Sequence, residues 1–175
     1  LFDMSGKELT AGFGPTTSTG LLNQVGGVIT NVGNLHIPWQ GGSAGYGAYT
    51  LSGGSIYIGS GGISSDCPSY AINLGGGPVA SPEHWGSSMN MTLTGSNGPV
   101  TFNPNGNTIT LTGSLSGSGG LTVNGAGALI LNGANTYTGT AHVTSGSTLE
   151  FDVSGTTFGS THLDNGATLY LNNGG

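Results

Sequence analysis

Residues 121–140 read LTVNGAGALILNGANTYTGT, residues 141–160 read AHVTSGSTLEFDVSGTTFGS, and residues 161–175 read THLDNGATLYLNNGG. In this register three apolar columns line up, each advancing by one constant step: Leu129, Leu149 and Leu169; Leu131, Phe151 and Leu171; and Val123, Val143 and Leu163. The same step leads back from Leu129 and Leu131 to Ile109 and Leu111, and once more to Met89 and Met91. Each turn holds a three-residue strand on the Val123 column, a Gly-containing corner, an alternating strand such as Ala-Leu-Ile-Leu, and a polar Asn/Gly/Thr return. Two strands per turn are therefore expected. Alternation at period 2 buries one face of a strand, and units of this length stack as solenoids, with equivalent strands about 4.8 Å apart as parallel neighbours. A helix is excluded because no 3.6-residue stripe is present and Gly recurs every few residues.

The first half carries a looser version of the pattern. Leu22-Asn23-Gln24-Val25-Gly26-Gly27-Val28-Ile29 aligns with Tyr49-Thr50-Leu51-Ser52-Gly53-Gly54-Ser55-Ile56, and both align with Ile72-Asn73-Leu74-Gly75-Gly76-Gly77-Pro78-Val79. Each unit is strand, Gly-Gly corner, strand, and Gly permits the bend because it tolerates φ > 0. The expected fold is all-β: a right-handed parallel β-helix, or β-solenoid. Its coils should hold about 20 residues in the C-terminal half, the length of a short solenoid repeat, and be longer and irregular in the N-terminal half. A single solenoid is expected over residues 1–175, with Gly-Gly-cornered coils and protruding loops at 1–98 and regular coils at 99–175. The expected protrusions are 36–46, 65–70 and 81–88; they gather Trp39, Tyr46 and Trp85.

Composition narrows the function classes. Gly fills 37 of 175 positions and charged residues make up only 5%, which alone would suit a disordered linker. The 34% hydrophobic fraction is instead set out in short alternating runs that can be buried. Lys7 is the sole Lys or Arg, and the formal net charge is −6. One cation cannot neutralise a phosphate backbone or an anionic bilayer, so nucleic acid and direct membrane insertion are excluded as partners. Cys67 is the one cysteine, so it forms no internal disulfide and reads as a small buried side chain. The chain begins at Leu1 without an initiator Met and stops at Asn172-Asn173-Gly174-Gly175 within the pattern, so a piece of a longer parent chain is expected.

The tract Gly117-Ser118-Gly119-Gly120-Leu121-Thr122, then Gly125-Ala126-Gly127-Ala128-Leu129-Ile130-Leu131, then Gly133-Ala134-Asn135-Thr136-Tyr137-Thr138-Gly139-Thr140 resembles the autotransporter-associated β-strand repeat, also called the passenger-associated transport repeat. Val143, Gly146 and Leu149 continue it in the usual Val-x-x-Gly-x-Leu form. Asn124 departs from the common Lys or Thr, and Ala141-His142 from the usual Thr-Thr. The resemblance runs from Gly117 to Phe151. It implies a right-handed parallel β-helix, export across a bacterial cell envelope, and a passenger or exoprotein role at the cell surface. It supplies no catalytic residues.

No enzyme is expected. Lyases on this fold use clustered acidic Ca²⁺ ligands with an Arg or Lys base, and glycoside hydrolases use paired carboxylates. Here Arg is absent and Asp3, Glu8, Asp66, Glu83, Glu150, Asp152 and Asp164 are spread along the chain. Polysaccharide processing is thus a remote alternative, and glycan binding through Trp39, Tyr46 and Trp85 a nearer one, unless those aromatics cover the coil edges and pack on the core. Thr108, Thr110 and Thr112 suggest an ice-binding array, but Ile130, Glu150 and Tyr170 break it in later coils. No cofactor and no resident metal are expected. His142 and His162 should stack on the outer surface of adjacent coils with Asp164 on the same side; this set could hold a metal, but reads first as a solvated polar ladder.

The column Asn132, Asp152 and Asn172 follows the inward Leu131, Phe151 and Leu171 at the strand exit. Short polar side chains there should bond corner backbone and stack coil to coil, so a structural role is expected. The expected function is a stalk, spacer or adhesin-like display segment. Its partners would be the rest of the parent chain, further copies stacked end to end, and surface or matrix glycans.

Overall fold

A computed structural model of the chain describes residues 1–11, 19–37, 45–152 and 159–172. Among these residues every strand pairing is parallel, and the fold is an all-β parallel β-solenoid. The regular columns pair as the repeat demands: Leu129↔Leu149↔Leu169, Leu131↔Phe151↔Leu171 and Val123↔Val143↔Leu163. The Gly-cornered units also pair in the aligned register, with Leu22↔Tyr49↔Ile72 and Ile29↔Ile56↔Val79.

The coil has three faces rather than two. The first stacks Tyr70–Leu74, Met91–Leu93 and Leu115–Ser116, with Met91↔Leu115 and Leu93↔Leu74 in register. The second stacks Gly77–Ala80, Val100–Asn103, Leu121–Val123, Ala141–Val143 and Thr161–Leu163. The third stacks Trp85–Ser87, Thr108–Leu111, Gly127–Leu131, Ser147–Asp152 and Thr168–Asn172. The long strands Thr19–Val32 and Tyr46–Ile58 bend at their Gly pairs and contribute to the first two faces at once. A short sheet of Glu8–Thr10, Asn34–His36 and Ile63–Ser64 lies next to the third face, where Ser87 Oγ donates to Ile63 O at 2.7 Å.

The stretch expected as a polar return after Leu131 belongs to the first face. Thr136 N donates to Leu115 O at 2.7 Å and Thr138 N to Gly117 O at 2.9 Å, so the backbone there continues the stack although no strand forms. Asn135 and Tyr137 point inward and are fully buried. The three-faced coil also corrects the backward extension to Met89 and Met91. Ile109 and Leu111 pair with Trp85 and Ser87 of the coil before, while Met91 sits on the first face opposite Leu115. The coil between them is longer than the regular one, so counting back by the regular step lands on the wrong face.

The core is one continuous apolar column system. Leu51, Ile56, Phe102, Leu121, Leu129 and Leu149 are all fully buried. Each such side chain contributes about 1.5–3 kcal/mol on leaving water, which suits a chain with so few charges to pair. Two expected core members are corrected: Leu163 and Leu171 are 42% and 56% exposed, because no described coil covers them. Among the described residues no helix is long and apolar enough to cross a membrane.

Candidate functional site

Parallel stacking in register brings equivalent outward side chains of adjacent coils together. His142 pairs with His162 on the second face, one coil apart, and their rings lie with centroids 5.0 Å apart, tilted by 60°. Asp164 leaves the same face just after Leu163, its backbone N–H bonded to Val143 O at 3.0 Å. Its carboxylate thereby comes within reach of both rings: Oδ1 is 2.9 Å from His142 Nε2 and 3.5 Å from His162 Nε2. An ionised carboxylate can only accept, so His142 carries its proton on Nε2 when this hydrogen bond forms. That hydrogen bond, then the charge of both imidazoles and a backbone N–H from Ser145, holds the Asp164 carboxyl below its ordinary range. The three side chains are partly exposed, His162 most of all. Two imidazoles and one carboxylate on a solvent-facing surface form a borderline nitrogen–oxygen donor set.

A second cluster was not legible in the sequence. His36 lies between Glu8 and Asp66, with Nδ1 3.6 Å from Glu8 Oε2 and Nε2 3.4 Å from Asp66 Oδ2. The three residues come from successive coils of the short sheet, where Thr10, His36 and Ser64 are in register. The ring is largely buried, and Nε2 has the ion-pair distance to Asp66 without hydrogen-bond geometry. The imidazole thus lies within ion-pair distance of both carboxylates.

Of the proposed glycan-stacking residues, the structure describes Trp85 and Tyr46. Trp85, expected in a protruding loop, is corrected: it opens the strand Trp85–Ser87, pairs with Ile109 and packs in the core at 4% exposure. The Pro82-Glu83-His84 turn ends just before it, and the indole belongs to the same apolar core as Leu35 and Ile63. Tyr46 begins a strand opposite Thr19 and is 38% exposed. Trp39 lies outside the described residues. Shallow grooves mark the surface of the described residues. One, of about 290 Å³, runs across successive coils past Ser5, Asn31, Ser60 and Glu83. Another, of about 280 Å³, lies by Pro68, Tyr70 and Asn90. Cys67 is buried in the turn just before Pro68, with Ser65 Oγ bonded to its backbone.

The Asn132, Asp152 and Asn172 column is only partly a ladder. Asp152 and Asn172 are in register, but Asn172 Nδ2 donates to Glu150. Asn132 is exposed, and it bonds the neighbouring coil through its backbone N–H, to Leu111 O at 2.8 Å. The side chain expected to bond corner backbone and stack coil to coil is exposed instead. The buried amide is Asn135, a little further on: Oδ1 accepts Leu115 N–H at 2.9 Å and Nδ2 donates to Gly133 O at 2.7 Å. Asn135 stands in view within the Gly-Ala-Asn-Thr-Tyr-Thr-Gly tract, but a polar residue among polar neighbours gives no sign of pointing inward.

Compared with known proteins, the chain matches no family model, no curated protein and no solved structure.

Proposed function

We propose that the chain is a non-catalytic structural or display segment of an exported bacterial surface protein, serving as a passenger stalk, spacer or adhesin-like rod. The observation that carries this reading is the filled interior. Apolar side chains of successive coils form a core cluster that fills the inside of the coil among the described residues. Arg is absent, Lys7 is the one fixed cation of the sequence, and His36 lies within ion-pair distance of both Glu8 and Asp66. The likeness of residues 117–151 to the autotransporter-associated repeat supports export and an extracellular location. A parallel solenoid suits that family without being peculiar to it.

The natural partners on this reading are further coils, either of the same parent chain or of another copy. Apolar side chains are exposed at both ends of the described stack: Leu21 and Val25 at one, Tyr170 and Leu171 at the other. Unpaired strand edges invite such additions. The experiment is a panel of soluble polysaccharides assayed for cleavage, run beside a glycan array. No turnover and no selective binding are expected. Turnover, or selective binding lost in Tyr46→Ala, would replace this reading with an enzymatic or glycan-binding one.

A further inference from the structure

We propose that His142, His162 and Asp164 form a surface site for a divalent transition cation such as Zn²⁺ or Co²⁺, clipping one coil to the next. The proposal stands on geometry and is independent of the functional reading above. Each side chain offers one donor atom, and the three atoms all lie within 4.8 Å of one another. Metal–nitrogen and metal–oxygen bonds of about 2.0–2.2 Å in a tetrahedron place neighbouring donors about 3.3 Å apart. The separations to Asp164 Oδ1, 2.9 Å and 3.5 Å, lie on either side of that value. The remaining pair, the two imidazole nitrogens, lies within 4.8 Å, so side-chain rotation must draw the two rings together for all three donors to coordinate.

Two features make this more than a chance surface cluster. The backbone fixes both histidines, because they occupy paired positions of parallel strands and cannot drift apart without breaking the sheet. Asp164 is held as well, by its own N–H on Val143 O and by the Ser145 N–H on its carboxylate. Outer partners of this kind orient ligands and raise affinity. The donors are imidazole and carboxylate, which favour borderline cations over Ca²⁺ or Mg²⁺, whose sites are built from oxygen. Their exposure leaves the remaining coordination positions to water.

Binding balances simply. In the free state the His142 proton sits on Nε2 against Asp164; in the bound state Nε2 offers its lone pair and the proton resides on Nδ1, exchanged through solvent. Neutral imidazoles release no net proton, and each imidazolium releases one, so binding weakens as the histidines become protonated. The bound ion joins the coil at Ala141–Val143 to the coil at Thr161–Leu163, and it stabilises the folded state by mass action.

The test uses the untagged chain, titrated with Zn²⁺ calorimetrically and with Co²⁺ by its visible spectrum. One saturable equivalent per chain is expected, unaffected by excess Mg²⁺, with a rise in the thermal midpoint. His142→Ala, His162→Ala and Asp164→Asn should each weaken binding by about tenfold or more, whereas His84→Gln should not. Circular dichroism of each variant shows whether the fold persists. As a readout that needs no variant, Zn²⁺ should shift the imidazole resonances of His142 and His162 while those of His36 and His84 stay in place. Absence of saturable binding by the wild-type chain, binding that survives any two of the three substitutions, or shifts at His36 or His84 instead would overturn the proposal.

Discussion

The side-chain amide of Asn135, fully buried, accepts the backbone N–H of Leu115 from the preceding coil at 2.9 Å and donates to Gly133 O at 2.7 Å. It does by side chain what a strand does by backbone, at a stretch of the first face where no strand forms. Asn135→Ala takes the side-chain acceptor away from the buried Leu115 N–H and removes the bond to Gly133 O, and should cost about 1–3 kcal/mol. Asn132→Ala, at an exposed position, should stay within about 0.5 kcal/mol. Urea unfolding of the two variants checks the pair; the opposite order would remove Asn135 from this role.

The two buried tyrosines should respond differently to loss of their hydroxyls. Burial pushes the ionisation of both well above the ordinary phenol range. Tyr49 donates to Gln24 Oε1 at 2.7 Å, and Gln24 Nε2 in turn donates to Ser55 O. Tyr49→Phe strands the Gln24 oxygen and should cost about 1–2 kcal/mol. The Tyr137 hydroxyl is buried with no hydrogen-bond partner among the described residues. Tyr137→Phe should therefore be neutral or slightly stabilising, since it removes a desolvated group without stranding another. Melting curves for both variants decide the matter; a large loss in Tyr137→Phe would mean that its hydroxyl has a partner.

Gly27 and Gly54 share a φ of +73° at equivalent corners of adjacent coils, yet they differ in what lies beside them. A Cβ on Gly27 meets nothing within 4 Å among the described residues, whereas one on Gly54 runs into the backbone of Gly26 and Gly27. Gly27→Ala should cost only the left-handed backbone penalty, about 1–2 kcal/mol. Gly54→Ala should cost a further 1–3 kcal/mol, roughly, for the overlap with backbone that cannot give way. Equal losses by chemical denaturation would show that the coils are not stacked closely at this corner.

The first coil should loosen in acid. Asp3 Oδ1 accepts Ser5 N–H at 2.8 Å and Asn31 Nδ2–H at 2.9 Å, and these bonds, the Ser5 one foremost, hold its carboxyl below the ordinary 3.8. A depressed folded value means that the contribution is present above 3.8 and lost as pH falls through the folded value. Amide exchange at Ser5 and Met4, corrected for intrinsic rates, should therefore speed up below that pH, and Asp3→Asn should abolish the pH dependence. Unchanged protection across the acid limb would contradict the assignment.

How much of the fold and the site is legible in the sequence follows the physics of each signal. Apolar columns such as Leu129, Leu149 and Leu169 repeat because every coil needs the same side chain inside, so period and register are visible. The Gly-Gly corners are visible for the same reason. The outward pair His142 and His162 follows from the regular step alone. The first face is hidden because its inward residues there, Asn135 and Tyr137, sit among Thr, Gly and Asn and break the apolar code. Trp85 reads as a loop residue because the Pro82-Glu83-His84 turn ends abruptly in a buried strand. The His36 cluster escapes notice because its coils are unequal and longer than the regular step, with no shared motif to align them.

The fold depends on parallel coils stacked in register through the C-terminal half. The most direct test is methyl NOE spectroscopy on leucine- and valine-labelled protein. Cross-peaks are expected between Leu129 and Leu149 and between Leu149 and Leu169, together with Val123 to Val143, each joining residues one coil apart. A network joining strands that are neighbours in sequence with opposite polarity, without those contacts, would mean an antiparallel fold and would contradict the account.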